Sequence, residues 1–161
     1  MTSSDIAEHC RWLIASGCDG VGANGSLGEY ASLTDEERRA VAETAVWAVG
    51  DSGVVVVGVH APGSHQARMW TEHARDIGAD AVLCLPPTTY RASRAEILDH
   101  FAIVAAVGLP VMVYNNPIDT KVDLTPDLLT EICADRAHRG RQRVLRRRAA
   151  HSRNPGTGRR R

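Results

Sequence analysis

Long apolar runs are missing from this 161-residue chain: stretches such as Val54 to Val57 and Ile103 to Val107 fall far short of the roughly 20 residues that cross a bilayer. The chain does not open on a charged segment followed by an apolar core, so neither a membrane anchor nor a secretory leader is expected. Aromatics are scarce, with one Phe, three Trp and three Tyr. The four cysteines (Cys10, Cys18, Cys84, Cys133) form no CxxC pair, which argues against a disulfide scaffold and suits a reducing cytoplasm. There is a single lysine, Lys121, and no acid at all after Asp135. A content of 43% hydrophobic and 24% charged residues excludes wholesale disorder and collagen-like structure.

The zero net charge conceals two regimes. Residues 1–135 carry all nineteen acids against eight bases, whereas 136–161 hold eleven arginines. So abrupt a change divides the chain into an acidic domain, 1–135, and a basic tail, 136–161. The tail offers only Val144 and Leu145 as large apolar residues, and little packed structure is expected of it.

Within 1–135 the pattern alternates helix and strand. Ile6, Cys10, Leu13 and Ile14 recur at helical spacing from Ser4 to Ser16, and Gly17 supplies a stop. A short strand, Gly20 to Asn24, runs into a glycine-rich turn. Thr34 followed by Glu37 is a capping box, opening a helix that reaches Gly50. Val54 to His60 is apolar and β-branched, as a buried parallel strand would be. Helices over 64–77 and 93–107 flank a strand over 81–85; a strand over 110–115 follows, and Thr125-Pro126 opens a last helix. Strand starts near 20, 54, 81 and 110 have the period of a βα unit, and right-handed crossovers make the sheet parallel. A doubly wound sheet and a (β/α)8 barrel fit this equally, although a whole barrel needs about 250 residues.

Three strand ends carry distinctive residues: Gly25-Ser-Leu-Gly-Glu29, Leu85-Pro-Pro-Thr-Thr-Tyr90 and Val113-Tyr-Asn-Asn-Pro117. In this order and spacing they resemble the dihydrodipicolinate synthase / N-acetylneuraminate lyase family, over Ser4 to about Ala134. The resemblance implies part of a (β/α)8 (TIM) barrel, with four parallel strands and helices between them on one side, lacking the first strand and the last units. It also implies a lyase of pyruvate or another 2-oxo acid that works through a lysine Schiff base, needs no cofactor or metal, and is a homo-oligomer in intact members. A carboxylate needs donors, and a glycine-rich turn before a helix presents consecutive N–H groups. By resemblance Ser26 and the Leu27 amide hold it, with Gly25 and Gly28 allowing the tight backbone; an ordinary βα turn would show the same glycines. Tyr114 closes a strand where packing alone would favour Val or Ile, and a phenol near a cationic imine can shuttle protons. The resemblance gives Tyr114 that role and makes Thr89 the relay position. Ser26, Leu27 and Tyr114 are expected to converge at the C-terminal edge of the strands. Glu29 reads as a loop-bracing acceptor, and His60 as a hydrogen-bonded polar residue rather than a metal ligand.

Departures from the family pattern are informative. Leu27 stands where many members have a second hydroxyl, Thr89 where several have a tyrosine. Asp119 falls where the lysine-biosynthesis branch has an arginine for the second substrate's carboxylate, so another aldolase, dehydratase or deaminase substrate is expected. The Schiff-base lysine belongs on the sixth strand, at position 142, which is Gln142; Lys121 reads as a solvated loop charge. With CAA for Gln142 and AGA for Arg143, codons read one base later allow lysine, glutamate, two serines, glycine and aspartate, resembling the family's lysine signature. The tail thus reads as frameshifted, and the chain as inactive for want of its nucleophile. The alternative is a nucleic-acid-binding module using the arginine-rich arm, but the arm lacks interleaved aromatics and the body is acidic. A small 2-oxo acid is the expected partner; nucleic acid and membrane are not.

Overall fold

The capping box read at Thr34 is formed. In the computed structural model, which describes residues 2–134, the Thr34 hydroxyl accepts from the Glu37 N–H at 3.2 Å and the Glu37 carboxylate accepts from the Thr34 N–H at 2.9 Å. Thr2 and Asp5 make the same reciprocal pair before α1 (Ser3–Ala15). The Thr34 box opens α2 (Asp35–Val49). α3 (Ser64–Asp76) follows Gly63, and Ser93 with Glu96 caps α4 (Arg94–Ala105). Two orphan donors are satisfied at each boxed end, which sets where each helix begins. Gly17 and Gly78 lie at positive φ just after α1 and α3, a conformation glycine adopts without the usual Cβ clash.

Between the helices lie β1 (Gly20–Ala23), β2 (Val54–Gly58), β3 (Ala81–Cys84) and β4 (Val111–Val113). They form one parallel sheet in the order β1-β2-β3-β4. Register pairs Gly22 with Val56, Gly58 with Leu83, and Leu83 with Met112. Strand alternation therefore puts Gly22, Val56, Leu83 and Met112 on one face, and Val55, Val57, Val82 and Cys84 on the other. The second set is buried in the core with Phe101, Val104 and Trp70, whereas Met112 is 50% exposed. Helices cover one face of the sheet, as expected of consecutive βα units of a barrel. Phe101, fully buried, is worth about 1.5–3 kcal/mol through its burial alone.

The ladder stops short of the expected strand ends, by two residues at Gly58 and Val113, where 60 and 115 were expected, and by one at Ala23 and Cys84, where 24 and 85 were expected. Beyond Gly58 the carbonyl of His60 is taken by a side chain, that of Arg38. Past β4 the Tyr114 N–H still donates to the Cys84 carbonyl at 2.9 Å, after which the chain turns into a one-turn helix, α5 (Pro117–Thr120). That turn was not anticipated; Pro117 occupies its first position, where a missing N–H costs nothing. α6 (Pro126–Ala134) closes the described part and buries Leu128 and Ile132. Expectations for the tail at 136–161, including Gln142 and the shifted reading frame, lie outside the described residues.

Candidate functional site

β1 leaves the sheet through a bend that two residue types make possible. Asn24 has φ +56°, a left-handed conformation that Asn tolerates better than most residues. Its carbonyl lies directly over Gly58, where a Cβ would overlap the Asn24 oxygen. The next residues, Ser26–Gly28, form a 3-10 turn closed by Gly28 N–H to Gly25 O at 3.0 Å and Glu29 N–H to Ser26 O at 3.1 Å. The amides of Ser26 and Leu27 come before the first of these bonds, and the Leu27 side chain is fully exposed. Glu29 braces the loop, but through its backbone: its carbonyl accepts from Ser32 N–H at 2.8 Å, at φ +53°. Among the described residues its carboxylate makes no hydrogen bond, which corrects the side-chain role expected of it.

Beneath this turn lies a bracket that the sequence did not announce. Arg38 of α2 is almost wholly buried and its guanidinium donates to the carbonyls of Gly58 and His60 at 3.0 and 2.9 Å. It stacks between Trp70 and Tyr30, 4.2 and 5.1 Å from their ring centres. Asn24 Nδ2 donates to the Arg38 carbonyl at 2.9 Å. Together these bonds tie the end of β1, the end of β2 and the start of α2 into one unit. Burial lowers the Arg38 pKa to about 10, which leaves it charged at neutral pH. His60 sits against Tyr30, with ring centres 4.9 Å apart, and burial, with the Arg38 charge second, lowers its pKa to about 4. Both ring nitrogens of His60 are buried without a hydrogen-bond partner among the described residues, so the expectation of a hydrogen-bonded histidine is overturned.

At the opposite edge of the sheet Tyr114 stands at the C-terminal end of β4, 37% exposed. Asn115 holds the loop that follows: its Nδ2 donates to Asp123 Oδ1 at 3.0 Å and its Oδ1 accepts from Leu124 N–H at 3.1 Å. Lys121 is exposed, has φ +58°, and donates from Nζ to the Ile118 carbonyl at 2.8 Å. The loop after β3 is anchored by His100 of α4, whose Nε2 bonds the Leu85 carbonyl at 3.0 Å while Nδ1 meets the Ser64 hydroxyl at 2.9 Å. Nε2 as the donor and the serine hydroxyl donating to Nδ1 satisfy both contacts. Burial pushes the neighbouring Cys84 thiol up to about 12, so no thiolate nucleophile forms there. Thr89 and Tyr90, in the same loop, are exposed.

All the sequence-derived residues thus lie at the C-terminal edge of the sheet, on loops that follow different strands. The Gly25–Gly28 turn follows one edge strand and Tyr114 the other, with β2 and β3 between them. At about 4.8 Å per strand spacing that separation exceeds any hydrogen bond. Among the described residues no hydrogen bond joins Ser26, Leu27, Thr89 and Tyr114 to one another. Nor do three or more His, Cys, Asp or Glu side chains cluster at metal-binding distance among the described residues.

Comparison with known proteins agrees with this geometry. An uncharacterized DapA-like lyase of Rhizobium meliloti is 41% identical over 119 residues, which is 74% of this chain and 40% of that protein. A 4-hydroxy-tetrahydrodipicolinate synthase of Methanosphaerula palustris is 36% identical over 127 residues, 79% of this chain and 44% of the other. A crystal structure of a prophage protein of the dihydrodipicolinic acid synthase family from E. coli K12, in complex with pyruvate, superposes with a TM-score of 0.79 at 33% identity, over 83% of this chain and 45% of that one. The chain spans less than half the length of each, and its four strands are consecutive βα units of the barrel those enzymes share. The model of the dihydrodipicolinate synthetase family matches residues 2–136, and the chain belongs to that family.

Proposed function

We propose that residues 1–135 carry part of the 2-oxo acid site of a Schiff-base lyase, and that the chain as written does not turn over because it has no nucleophile. The observation that carries the second half is the fate of its sole lysine: Lys121 is in an exposed loop with its ammonium on the Ile118 carbonyl. Schiff-base chemistry requires a neutral amine to attack the keto carbon, with reacting atoms about 3–3.5 Å apart and aligned, and then to lose water. A lysine on a strand of the barrel interior can be held in that geometry; one in this loop is not.

For the first half, the Ser26–Gly28 turn is the support. Its leading amides are not used by the turn's own bonds and, with the Ser26 hydroxyl, suit a carboxylate. A Cβ at Gly25 or Gly28 would meet no neighbour within 4 Å, so packing does not call for glycine at either position, and in this reading both lie on the ligand's side of the turn. Tyr114 would act as general acid/base toward the reacting carbon and its substituent, with Thr89 as relay. Pyruvate is the simplest ligand, since a family relative has been crystallised with it.

A pyruvate titration followed at the backbone amides tests the binding half. Pyruvate is expected to shift Ser26, Leu27 and Gly28, while acetone, which lacks the carboxylate, leaves them in place. Equal response to both, or to neither, would refute the carboxylate site.

A further inference from the structure

Among the described residues the sheet keeps one face and both edges open. Its helix-side residues Val55, Val57, Val82 and Cys84 are buried, whereas on the other face Val56 and Leu83 are half-buried and Gly22 and Met112 are exposed. All-parallel sheets occur almost only with both faces covered, so the second face calls for an occupant. Residues 136–161 offer only Val144 and Leu145 as large apolar side chains, too few to cover it. β1 and β4 each have a single neighbour in the sheet. Neither contains a charge or a proline, the usual guards of an exposed strand edge.

The register shows what fits these edges. β2 starts level with β1, at Gly20 and Val54; β3 starts level with the third residue of β2, at Val56 and Ala81; β4 starts level with the second residue of β3, at Val82 and Val111. The mean stagger is therefore about one residue per strand, the value that closes eight parallel strands at a shear of 8. Four strands are half that number. A two-fold rotation about the barrel axis keeps every strand parallel, so two copies meet twice through the same β4-to-β1 seam and the ring closes. Continuing the stagger by one more strand sets Met112 level with the partner's Gly20 and Tyr114 level with the partner's Gly22. A Cβ at Gly22 would meet nothing within 4 Å, so there is room beside it for the phenol. The formal net charge of the chain is zero, and two copies approach without long-range repulsion.

We propose that two copies of this 161-residue chain pair β4 of each with β1 of the other, closing one eight-stranded parallel barrel with Val56, Leu83 and Met112 inside it. Two half-sheets then make a single barrel, which is distinct from an association of whole barrels. Each Tyr114 follows a strand adjacent to the one that leads into the partner's Gly25–Gly28 turn, so the candidate site is assembled from both copies. That last consequence rests on the 2-oxo acid reading above; the dimer itself rests on the sheet alone.

The test uses the full chain. Sedimentation over a concentration series is expected to show a monomer–dimer equilibrium. In a mixture of isotope-labelled and unlabelled copies, intermolecular NOEs are expected between Gly20–Gly22 of one copy and Met112–Tyr114 of the other. Met112→Lys alters a side chain that is exposed in the single chain but puts a charge inside the closed barrel, and should raise the dimer Kd about tenfold or more. The Tyr114 N–H turns toward β3, so the Val113 N–H turns to the free edge, where proline is tolerated in a strand. Val113→Pro cannot donate across the seam and should weaken the dimer similarly. Both variants should keep the amide shifts of the α4 cap. A chain that stays monomeric, a dimer whose intermolecular NOEs fall on the helices or on 136–161, or one that forms equally well in both variants would overturn the proposal. A silent Ser26–Gly28 turn in the pyruvate titration, with the seam NOEs present, would strike only the 2-oxo acid reading.

Discussion

Arg38 is a buried cation that faces carbonyls and rings instead of a carboxylate. Replacing it with methionine keeps much of the packing but leaves the Gly58 and His60 carbonyls without their donor and removes the two cation–π contacts. The expected loss is about 2–4 kcal/mol, read as a lower urea midpoint with unchanged slope. His60 gives the protein a pH dependence of definite sign. Its folded pKa of about 4 lies below the ordinary 6.5, so the unfolded chain binds the proton more readily. The stabilisation is complete above about pH 6.5 and is lost as pH falls toward 4; near pH 5 the His60 share of that loss is about 2 kcal/mol. Burial lowers His100 and His73 in the same direction. Urea midpoints measured from pH 7 to pH 5 should fall, and His60→Leu should flatten the slope; an unchanged slope would show that His60 is not the main sensor. Neither residue was legible in its role. The Thr34–Glu37 box could be read because both partners lie within one turn, whereas Arg38 meets its acceptors 20 and 22 residues away, and only the folded sheet brings them there.

The helices and strands themselves were largely legible, because apolar periodicity and caps are local. Their ends were less so. At Gly58, where β2 stops, the Asn24 carbonyl crosses over the strand, a contact that no periodicity encodes. Gly58→Ala is therefore expected to cost about 1–3 kcal/mol, as overpacking does, and to shift the amides of Gly25–Gly28, since the Asn24 bend must move. If the variant is as stable as the parent and its turn unshifted, the close approach does not position the loop. α5 is not legible in the sequence because one helical turn has no period, although Pro117 at its first position is a start signal. Ser93→Ala tests the opposite case, a local signal: loss of the α4 cap should cost about 1 kcal/mol without disturbing the Gly25–Gly28 turn. The motif residues were found at the expected edge, where the Gly25–Gly28 turn and Tyr114 follow opposite edge strands and Thr89 follows the inner strand β3.

At the scale of the whole molecule, four parallel strands with helices on one face leave Val56, Leu83 and Met112 on the other, the side that in a (β/α)8 barrel faces an interior filled by layers of side chains. Fold and family follow from elements within 2–136, whereas chemistry depends on one residue type. Everything proposed here for the carboxylate turn and for Tyr114 can hold without turnover, because binding and proton transfer do not replace the amine. The direct measurement is incubation of the full chain with pyruvate and borohydride, followed by mass spectrometry of the intact protein and its peptides. No reduced pyruvate adduct is the predicted result, including on the peptide that contains Lys121; a stable adduct at Lys121 would contradict the claim that this chain lacks a Schiff-base nucleophile.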